Sequence, residues 1–368
     1  MNTSPCEMSP MERAAAIAKG ERVDRMPCNP NIANGTARIL GCKISEFNTD
    51  AKTLAASQVA SYRRFGYDSV RIFTDLFTWC EGMGAKVNFP EDDTADLLEP
   101  AISDIKDVGK LRPVDPYKDG RLPVHVDAMK YLIDEIGQEV GCGGGVVGPF
   151  TNAFFLIGVD KMLKMIRKDP EGVHALCRVS LETSKNWAQA VIDCGLTPTI
   201  SEPMSSCTVV SPKVFREFSK PYLAELCQFM IDRGKPVTMH ICGQTNKIWT
   251  DLADMGIAAM SIDNVASITE CKQLIGDRCK VLGNVDPGSV MYSGTPELIR
   301  LKVLEGLAEG YDSPKGYMAM SGCSLPVETS LDNIQAFMDT VTEVGYPVVP
   351  EKIHAMIEDA RAKVAAQQ

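Results

Sequence analysis

A histidine and a cysteine that stand two residues apart are the pair in this chain best suited to chemistry. His240-Ile241-Cys242 follows the apolar run 237–239 and is itself followed by Gly243. In an extended strand, residues i and i+2 point to the same side, about 6.6–6.8 Å apart along the backbone. The imidazole and the thiol therefore project side by side, and the glycine lets the chain turn away. Both groups are good zinc ligands, and zinc needs two or more further donors to reach four.

A third donor is offered by Cys323, which follows the strand-like run 317–322 much later in the chain. A site made from these residues would be assembled by the fold and not by a local finger. The competing interpretation is ordinary burial, because the chain has 13 cysteines and free cysteine usually packs as a small hydrophobe. The position of all three residues at strand ends favours a metal site.

Short apolar runs alternate with longer helical patterns along the chain, and eight of these runs are predicted strands. They cover 26–31, 68–74, 143–150, 197–202, 236–242, 258–263, 280–286 and 317–322. Helix starts are predicted where a capping residue precedes proline, at Asp169, Ser211 and Thr295.

This alternation predicts an α/β fold, a single (β/α)8 TIM-like barrel over residues 1–368. An N-terminal extension precedes it, and the acidic stretch 91–96 predicts a solvated insertion after the second strand. A doubly wound open sheet is the alternative, because the sequence does not reveal whether the sheet closes.

Carboxylates also fall at predicted strand ends, where barrel enzymes gather their catalytic groups. Glu202 ends the fourth strand, Asp263 the sixth and Asp286 the seventh. We predict catalytic roles for Glu202 and Asp263, although a structural hydrogen-bond partner is an equally good interpretation of Glu202. For Asp286, which precedes Pro287, a helix cap is the preferred interpretation.

Composition excludes several classes of protein. A net charge of −10 disfavours a general nucleic-acid binder, and no apolar stretch reaches membrane-spanning length. The start, residues 1–5, lacks the features of a secretory signal, and the odd cysteine count without regular spacing argues against a disulfide framework. We therefore expect a cytoplasmic protein without membrane or nucleic-acid partners.

Several segments resemble the uroporphyrinogen decarboxylase superfamily, and more narrowly its zinc-containing, cobamide-dependent methyltransferase branch. They are 12–13, 19–27, 211–218, 221–223, 239–243, 275–278, 282–286 and 321–323. The resemblance covers nearly the whole chain and implies a TIM-like barrel with zinc at its mouth. It also implies that His240, Cys242 and Cys323 are the zinc ligands.

The decarboxylase branch fits the sequence less well. Its substrate carries many carboxylates, and the family's N-terminal region supplies arginines that grip them. Residues 27–35 of this chain contain no arginine, and neutral side chains do not replace bidentate guanidinium recognition. This departure favours methyl transfer and makes uroporphyrinogen decarboxylation the least favoured of the enzyme functions considered.

The resemblance implies that a methyl group moves between a small molecule and a corrinoid. The corrinoid should come from a partner protein, because the Asp-x-His-x-x-Gly pattern of base-off cobalamin binding is absent. Zinc would either activate a thiol that accepts the methyl group or bind the oxygen of a methyl ether that gives it up. Asp263 is the candidate for a displaceable fourth ligand, at a position where the coenzyme M-type relatives carry glutamate. A non-catalytic, zinc-binding regulatory barrel is the alternative from another class.

Aromatic residues near two strand ends bear on the choice of substrate. They are Phe73, Phe77, Trp79, Phe150, Phe154 and Phe155. If these rings line the pocket, an aromatic methyl ether fits as the substrate, and Co(I) would accept its methyl group. We prefer this interpretation of the sequence. The predicted substrate-binding residues are then Phe73, Phe77, Trp79, Phe150 and Phe154. A coenzyme M-like sulfonate would instead need a cation in the pocket, and simple packing between barrel and helices is the structural alternative.

Overall fold

Eight parallel strands form the central sheet of the computed structural model, which describes residues 7–367. These strands are β1 (Cys28–Asn29), β2 (Ser69–Ile72), β5 (Gly141–Val147), β6 (Thr197–Ser201), β7 (Thr238–Ile241), β8 (Ala259–Ile262), β9 (Lys280–Val285) and β10 (Tyr317–Ser321). Their order is β1-β10-β9-β8-β7-β6-β5-β2. Each of the eight predicted segments overlaps one of these strands, so the predicted barrel strands are confirmed.

The two ends of this strand order meet through β1 and β2. The Asp68 amide donates to the Cys28 carbonyl at 2.9 Å. The side-chain amide of Asn29 donates to the carbonyl and to the hydroxyl of Ser69, at 3.0 and 2.7 Å. These bonds bring the edge strands together, which gives the predicted (β/α)8 barrel and not an open doubly wound sheet.

Helices cover the outside of the barrel between successive strands. They are α1 (Pro10–Lys19), α2 (Thr36–Leu40), α3 (Ile44–Thr49), α4 (Ala51–Phe65), α5 (Thr78–Gly82), α6 (Leu122–Ile136), α7 (Pro149–Ile157), α8 (Val159–Lys168), α9 (Pro170–Asp193), α10 (Pro212–Val214), α11 (Lys220–Ile231), α12 (Trp249–Ala253), α13 (Ile268–Ile275), α14 (Pro296–Gly310), α15 (Leu331–Val344) and α16 (Pro350–Ala365). The predicted caps Asp169, Ser211 and Thr295 each accept a backbone N–H of the first turn. In the part of the chain that the structure describes, no helix has the length and apolar composition to cross a membrane.

Two segments lie outside the repeating pattern, as the sequence predicts. The N-terminal extension is tied to the base of β2 by Asp68, whose carboxylate forms buried ion pairs with Arg13 and Arg25. The insertion after β2 contains a hairpin, β3 (Lys86–Asn88) and β4 (Asp96–Glu99), with the exposed acidic residues 91–93 in its turn. Residues 1–5, on which the prediction about a leader rests, lie outside the described residues.

The interior of the barrel is lined largely by small side chains. Barrel interiors are usually filled by bulky branched residues, but the inward positions of β5 and β6 carry Gly143, Thr199 and Ser201. A cavity of about 420 Å³ therefore remains inside the barrel and reaches the ends of β7 and β10.

Candidate metal centre

The end of β7 presents an imidazole and a thiol to this cavity. His240 lies in the strand and Cys242 directly follows it, so both side chains project to the same side. Gly243 then turns the chain with φ +71°, and a Cβ at this position would lie 2.6 Å from the hydroxyl of Thr208. Glycine is required here because both the backbone conformation and the close approach disfavour a side chain.

Cys323, just after β10, completes a group of three possible ligands. All three ligand atoms lie within 4.8 Å of one another. The two sulfurs are 3.7 Å apart, and the Nε2 atom of His240 lies 3.1 Å from the Cys242 sulfur. A tetrahedral zinc ion would hold two sulfurs about 3.8 Å apart and a sulfur and a nitrogen about 3.5 Å apart. The donor set and its spacing therefore fit zinc after small adjustments.

The two thiols do not share their charge equally. Their mutual hydrogen bond, with further bonds from His240, lowers the pKa of Cys323 well below its usual value. The same bond and burial raise the pKa of Cys242. The pair therefore favours one thiolate and one thiol, and a divalent ion would displace the remaining proton on binding.

Ser261 orients the imidazole from the neighbouring strand β8. Its hydroxyl lies 3.1 Å from the Nδ1 atom of His240, which leaves Nε2 directed at the sulfurs. Metal-binding histidines usually have such a partner on the second ring nitrogen, and it fixes the tautomer and the ring orientation.

The charged groups around the cavity are few. Among its described lining residues, Arg71 of β2 is the one arginine or lysine, and no aspartate or glutamate is present. Hydroxyl groups and apolar side chains form most of the wall. The hydroxyl-bearing residues include Ser69, Thr197, Thr199, Ser201 and Thr238.

A comparison with known families matches residues 9–344 to the uroporphyrinogen decarboxylase (URO-D) family. The chain belongs to this family. A methylcobamide:CoM methyltransferase, MtaA, from Methanosarcina barkeri is 26% identical over 331 residues, which cover 89% of this chain and 95% of that protein. A methylated-thiol–coenzyme M methyltransferase from Methanosarcina mazei is 27% identical over 345 residues, covering 93% of this chain and 91% of that protein.

A solved structure gives the same result in three dimensions. A methyltransferase from Methanosarcina mazei has a TM-score of 0.81 at 26% identity, and the match covers 92% of this chain and 99% of that one. The resemblance to the methyltransferase branch, expected from the motifs, is confirmed, and so is the barrel fold. All three of these proteins are methyltransferases by name, and the Methanosarcina barkeri relative is named for a methylcobamide.

Asp263 of this URO-D family member lies close to the candidate metal ligands, but its carboxylate is hydrogen-bonded to two backbone amides. Its Oδ2 atom accepts the backbone N–H of Gly243 at 2.8 Å, and its Oδ1 atom accepts that of Val265 at 3.2 Å. It is not one of the three residues whose ligand atoms gather. Its role as a displaceable fourth ligand stays a prediction and requires Oδ2 to leave the Gly243 amide.

Of the five aromatic residues predicted to bind substrate, Phe73 lines the cavity and the other four do not. Trp79, Phe150 and Phe154 are buried, and Phe77 contacts Phe155 with ring centroids 4.9 Å apart. These rings fill space between the barrel and its helices. Their placement does not support the aromatic-walled pocket that the sequence favoured.

Glu202 is fully buried at the end of β6 but does not line the cavity. Its carboxylate accepts the backbone N–H groups of Phe150 at 3.3 Å and of Thr151 at 2.6 Å, and also the Thr151 hydroxyl. It thus holds the first turn of α7. This placement favours the structural interpretation, and the catalytic role stays a prediction. Asp286 accepts the amides of Gly288 and Ser289, so it caps the following segment as the sequence indicates.

Sequence reasoning did not identify Ser261 and Arg71. Both stand at alternate, inward positions of strands that were predicted correctly, so the period of two could have placed them in the interior. Serine and arginine are usually exposed, however, and the partner of Ser261, His240, comes from another strand.

Removing the Ser261 hydroxyl tests the arrangement around His240. In Ser261→Ala, we expect the affinity for zinc to fall about 10- to 100-fold, because the imidazole loses the partner that fixes its tautomer. Competition with a chelator of known affinity measures the change. Thr199→Val, which removes a hydroxyl from the same cavity without touching His240, is the matched control. Equal zinc affinity in Ser261→Ala and the unsubstituted protein would contradict the orienting role.

Proposed function

We propose that this protein is a zinc-dependent methyltransferase that moves a methyl group between a corrinoid partner protein and a small thiol. The observation that carries the proposal is a cluster of two cysteines and a histidine facing a small-molecule cavity. The relatives named above support it, because both are named for methyl transfer involving coenzyme M. Their similarity covers nearly the whole chain.

His240, Cys242 and Cys323 would hold the metal. Zinc, when bound there, supplies a Lewis acid that lowers the pKa of a thiol and so makes a better nucleophile of it. With both cysteines ionised, the cluster balances the two positive charges of the ion. Ser261 faces Nδ1 of His240, which keeps Nε2 available as a ligand. The positive charge of Arg71 in the same cavity favours the negatively charged form of a bound thiol.

The three protein ligands also separate this proposal from a non-catalytic zinc barrel. A structural zinc site is closed by four protein ligands, whereas a catalytic site keeps one position for substrate or water. Here the gathered group has three members, and all three line the cavity. A site that faces a cavity of about 420 Å³ is suited to a small molecule.

Two other substrate classes have less support. A uroporphyrinogen has many carboxylates, and the cavity offers one arginine for them. An aromatic methyl ether, which the sequence favoured, would need a wall of several rings. Of the five rings predicted to bind substrate, Phe73 alone lines the cavity, and the described lining adds one other ring of this kind, Tyr67. Demethylation of such an ether therefore becomes the second candidate.

Spectroscopy of the cobalt centre tests the proposal. With the zinc-loaded protein, methylcobalamin should be demethylated by small thiols, and the loss of its absorption should depend on both the protein and the zinc. In the opposite direction, reduced cobalamin with a panel of methoxylated arenes should show no protein-dependent methylation. A corrinoid protein can replace free cobalamin in both arms. Methylation from an arene without any thiol reaction would overturn the proposal in favour of the second candidate.

A further inference from the structure

One outer face of the protein is formed by the hairpin of the insertion and by helix α8. Pro100, which follows β4, lies 3.9 Å from the position that a Cβ would take at Gly158, just before α8. Ile105 approaches Gly172, in the first turn of α9, in the same way. The segment after β4 therefore runs beside α8 in the same direction. The turn of the hairpin lies at one end of this face, and the C-terminal end of α8 lies at the other.

The hairpin end of the face is acidic. Asp92, Asp93 and Asp96 are exposed, and none of them forms an ion pair with another described residue. The two glutamates of the hairpin, Glu91 and Glu99, are each paired with a lysine. The three aspartates therefore form an acidic block whose charge is not compensated within the part of the chain that the structure describes.

The opposite end of the face is basic. Lys164, Arg167 and Lys168 of α8 are exposed, and no described residue forms an ion pair or a hydrogen bond with their side chains. Residues three and four apart lie on one side of a helix, so these cations form a basic block at the end of α8. On α16, by contrast, Arg361 and Lys363 are paired with carboxylates of their own helix.

Apolar side chains are exposed between the two blocks. They are Leu98 on β4, with 62% of its surface exposed, and Val159 and Leu163 on α8, with 38% and 39%. Asp96 and Leu98 are two residues apart in a strand and therefore project to the same side. Val159, Leu163 and Arg167 follow one another at intervals of four residues and form one stripe along α8. The face thus carries negative charge, apolar surface and positive charge in that order.

The length of this face is that of an ordinary protein interface. β4 has 4 residues and α8 has 10, which correspond to about 13 Å of strand and about 15 Å of helix. Apart from the hairpin turn, the face is therefore at most about 28 Å long. A specific interface buries about 800 Å² on each partner, which is a patch about 30 Å across. An apolar centre with charged groups at the rim is also the usual anatomy of an interface.

We propose that this face binds a second copy of the same chain and forms a symmetric dimer. When one copy is turned by half a revolution about an axis through the apolar centre, its acidic block meets the basic block of the other copy, and its basic block meets the acidic block. Both charge contacts are then attractive, and Leu98, Val159 and Leu163 are removed from water. A partner with charge of one sign would attract one block and repel the other, so a second copy is the occupant whose charge fits both.

Reversing the charge of each block tests the dimer. Sedimentation equilibrium of the zinc-loaded protein should show dimers whose dissociation constant rises with ionic strength. We expect Asp92→Lys with Asp93→Lys, and separately Lys164→Glu with Lys168→Glu, to raise this constant about 10-fold or more, because like charges then meet at both contacts. Mixing equal amounts of the two variants should restore dimers, since both blocks of one variant are then net positive and both blocks of the other are net negative.

Lys19→Glu with Lys315→Glu is the matched control and should leave the dissociation constant unchanged. Both lysines are exposed, on α1 and before β10, outside this face, and neither forms an ion pair with a described residue. Circular dichroism checks that each variant is folded.

Monomers at every concentration, dimers that neither reversal weakens, or variants that stay monomeric when mixed would each overturn the inference. The same holds if the protein is monomeric and the reversals weaken methyl transfer with a corrinoid protein but not with free cobalamin, because the face would then belong to that partner.

Discussion

Replacing Cys242 or Cys323 with alanine should give a folded protein that has lost nearly all of its zinc and its methyl transfer. Each substitution leaves two protein ligands, which is too few for a stable zinc site. The affinity for zinc should fall by more than the factor of about 10 to 100 that is expected when only the Ser261 hydroxyl, a hydrogen-bond partner of His240, is removed. The barrel should persist because both residues are only partly buried and lie at the mouth, outside the packed strand core.

Metal analysis of the purified variants, together with circular dichroism, measures this result. Cys207→Ala is the matched control, since Cys207 is also partly buried and follows β6 but is not in the ligand group. It should retain about one zinc per chain. Full zinc occupancy in both cluster variants would mean that the metal is bound elsewhere or that the cluster is a packing feature.

Much of the fold was predictable because its signals are local. Each of the eight apolar runs can be recognised from a few consecutive residues. The same is true of a proline that follows a capping residue such as Asp169. The candidate metal ligands could also be predicted, since His240 and Cys242 belong to one predicted strand and Cys323 matched a family motif. Closure of the sheet could not be predicted from the sequence, because it depends on hydrogen bonds between β1 and β2 that involve the Asn29 side chain.

The environment of the site could be predicted much less well. Side chains in loops after a strand have no fixed period, so Phe77 and Trp79 could not be assigned to the cavity or to the core from spacing. Phe73, by contrast, continues the inward alternation of Ser69 and Arg71 and does line the cavity. Glu202 was ambiguous for a similar reason: a carboxyl at a strand end can turn into the barrel mouth or towards the next helix.

The role of Glu202 leads to a second large effect, on stability. Glu202→Ala would leave the amides of Phe150 and Thr151 without their acceptor inside the protein. Each unpaired buried donor costs about 1–3 kcal/mol, so the free energy of unfolding should fall by about 3 kcal/mol or more. Glu202→Gln keeps an acceptor oxygen and should lose much less. Urea denaturation of the zinc-loaded proteins measures both changes.

The pH dependence of stability should distinguish the carboxyl from its amide. Burial raises the pKa of Glu202 to about 7, from 4.5 in the unfolded chain. Between these values the unfolded state releases the proton and the folded state retains it, so this group's contribution falls as the pH rises. The decrease approaches about 3 kcal/mol and is complete above pH 7. It should be absent from Glu202→Gln when the two proteins are compared at each pH.

If Glu202 were catalytic, its substitution by glutamine would affect activity and not stability. If the carboxyl transfers a proton to or from the substrate, Glu202→Gln should lose methyl transfer by about 100-fold or more while its stability remains near that of the unsubstituted protein. If the carboxyl anchors α7, Glu202→Gln should retain transfer, and Glu202→Ala should lose stability first. Glu217→Gln, at an exposed position, controls for the loss of one negative charge. The position of Glu202 behind the cavity wall, bonded to the first turn of a helix, leads us to expect the anchoring pattern.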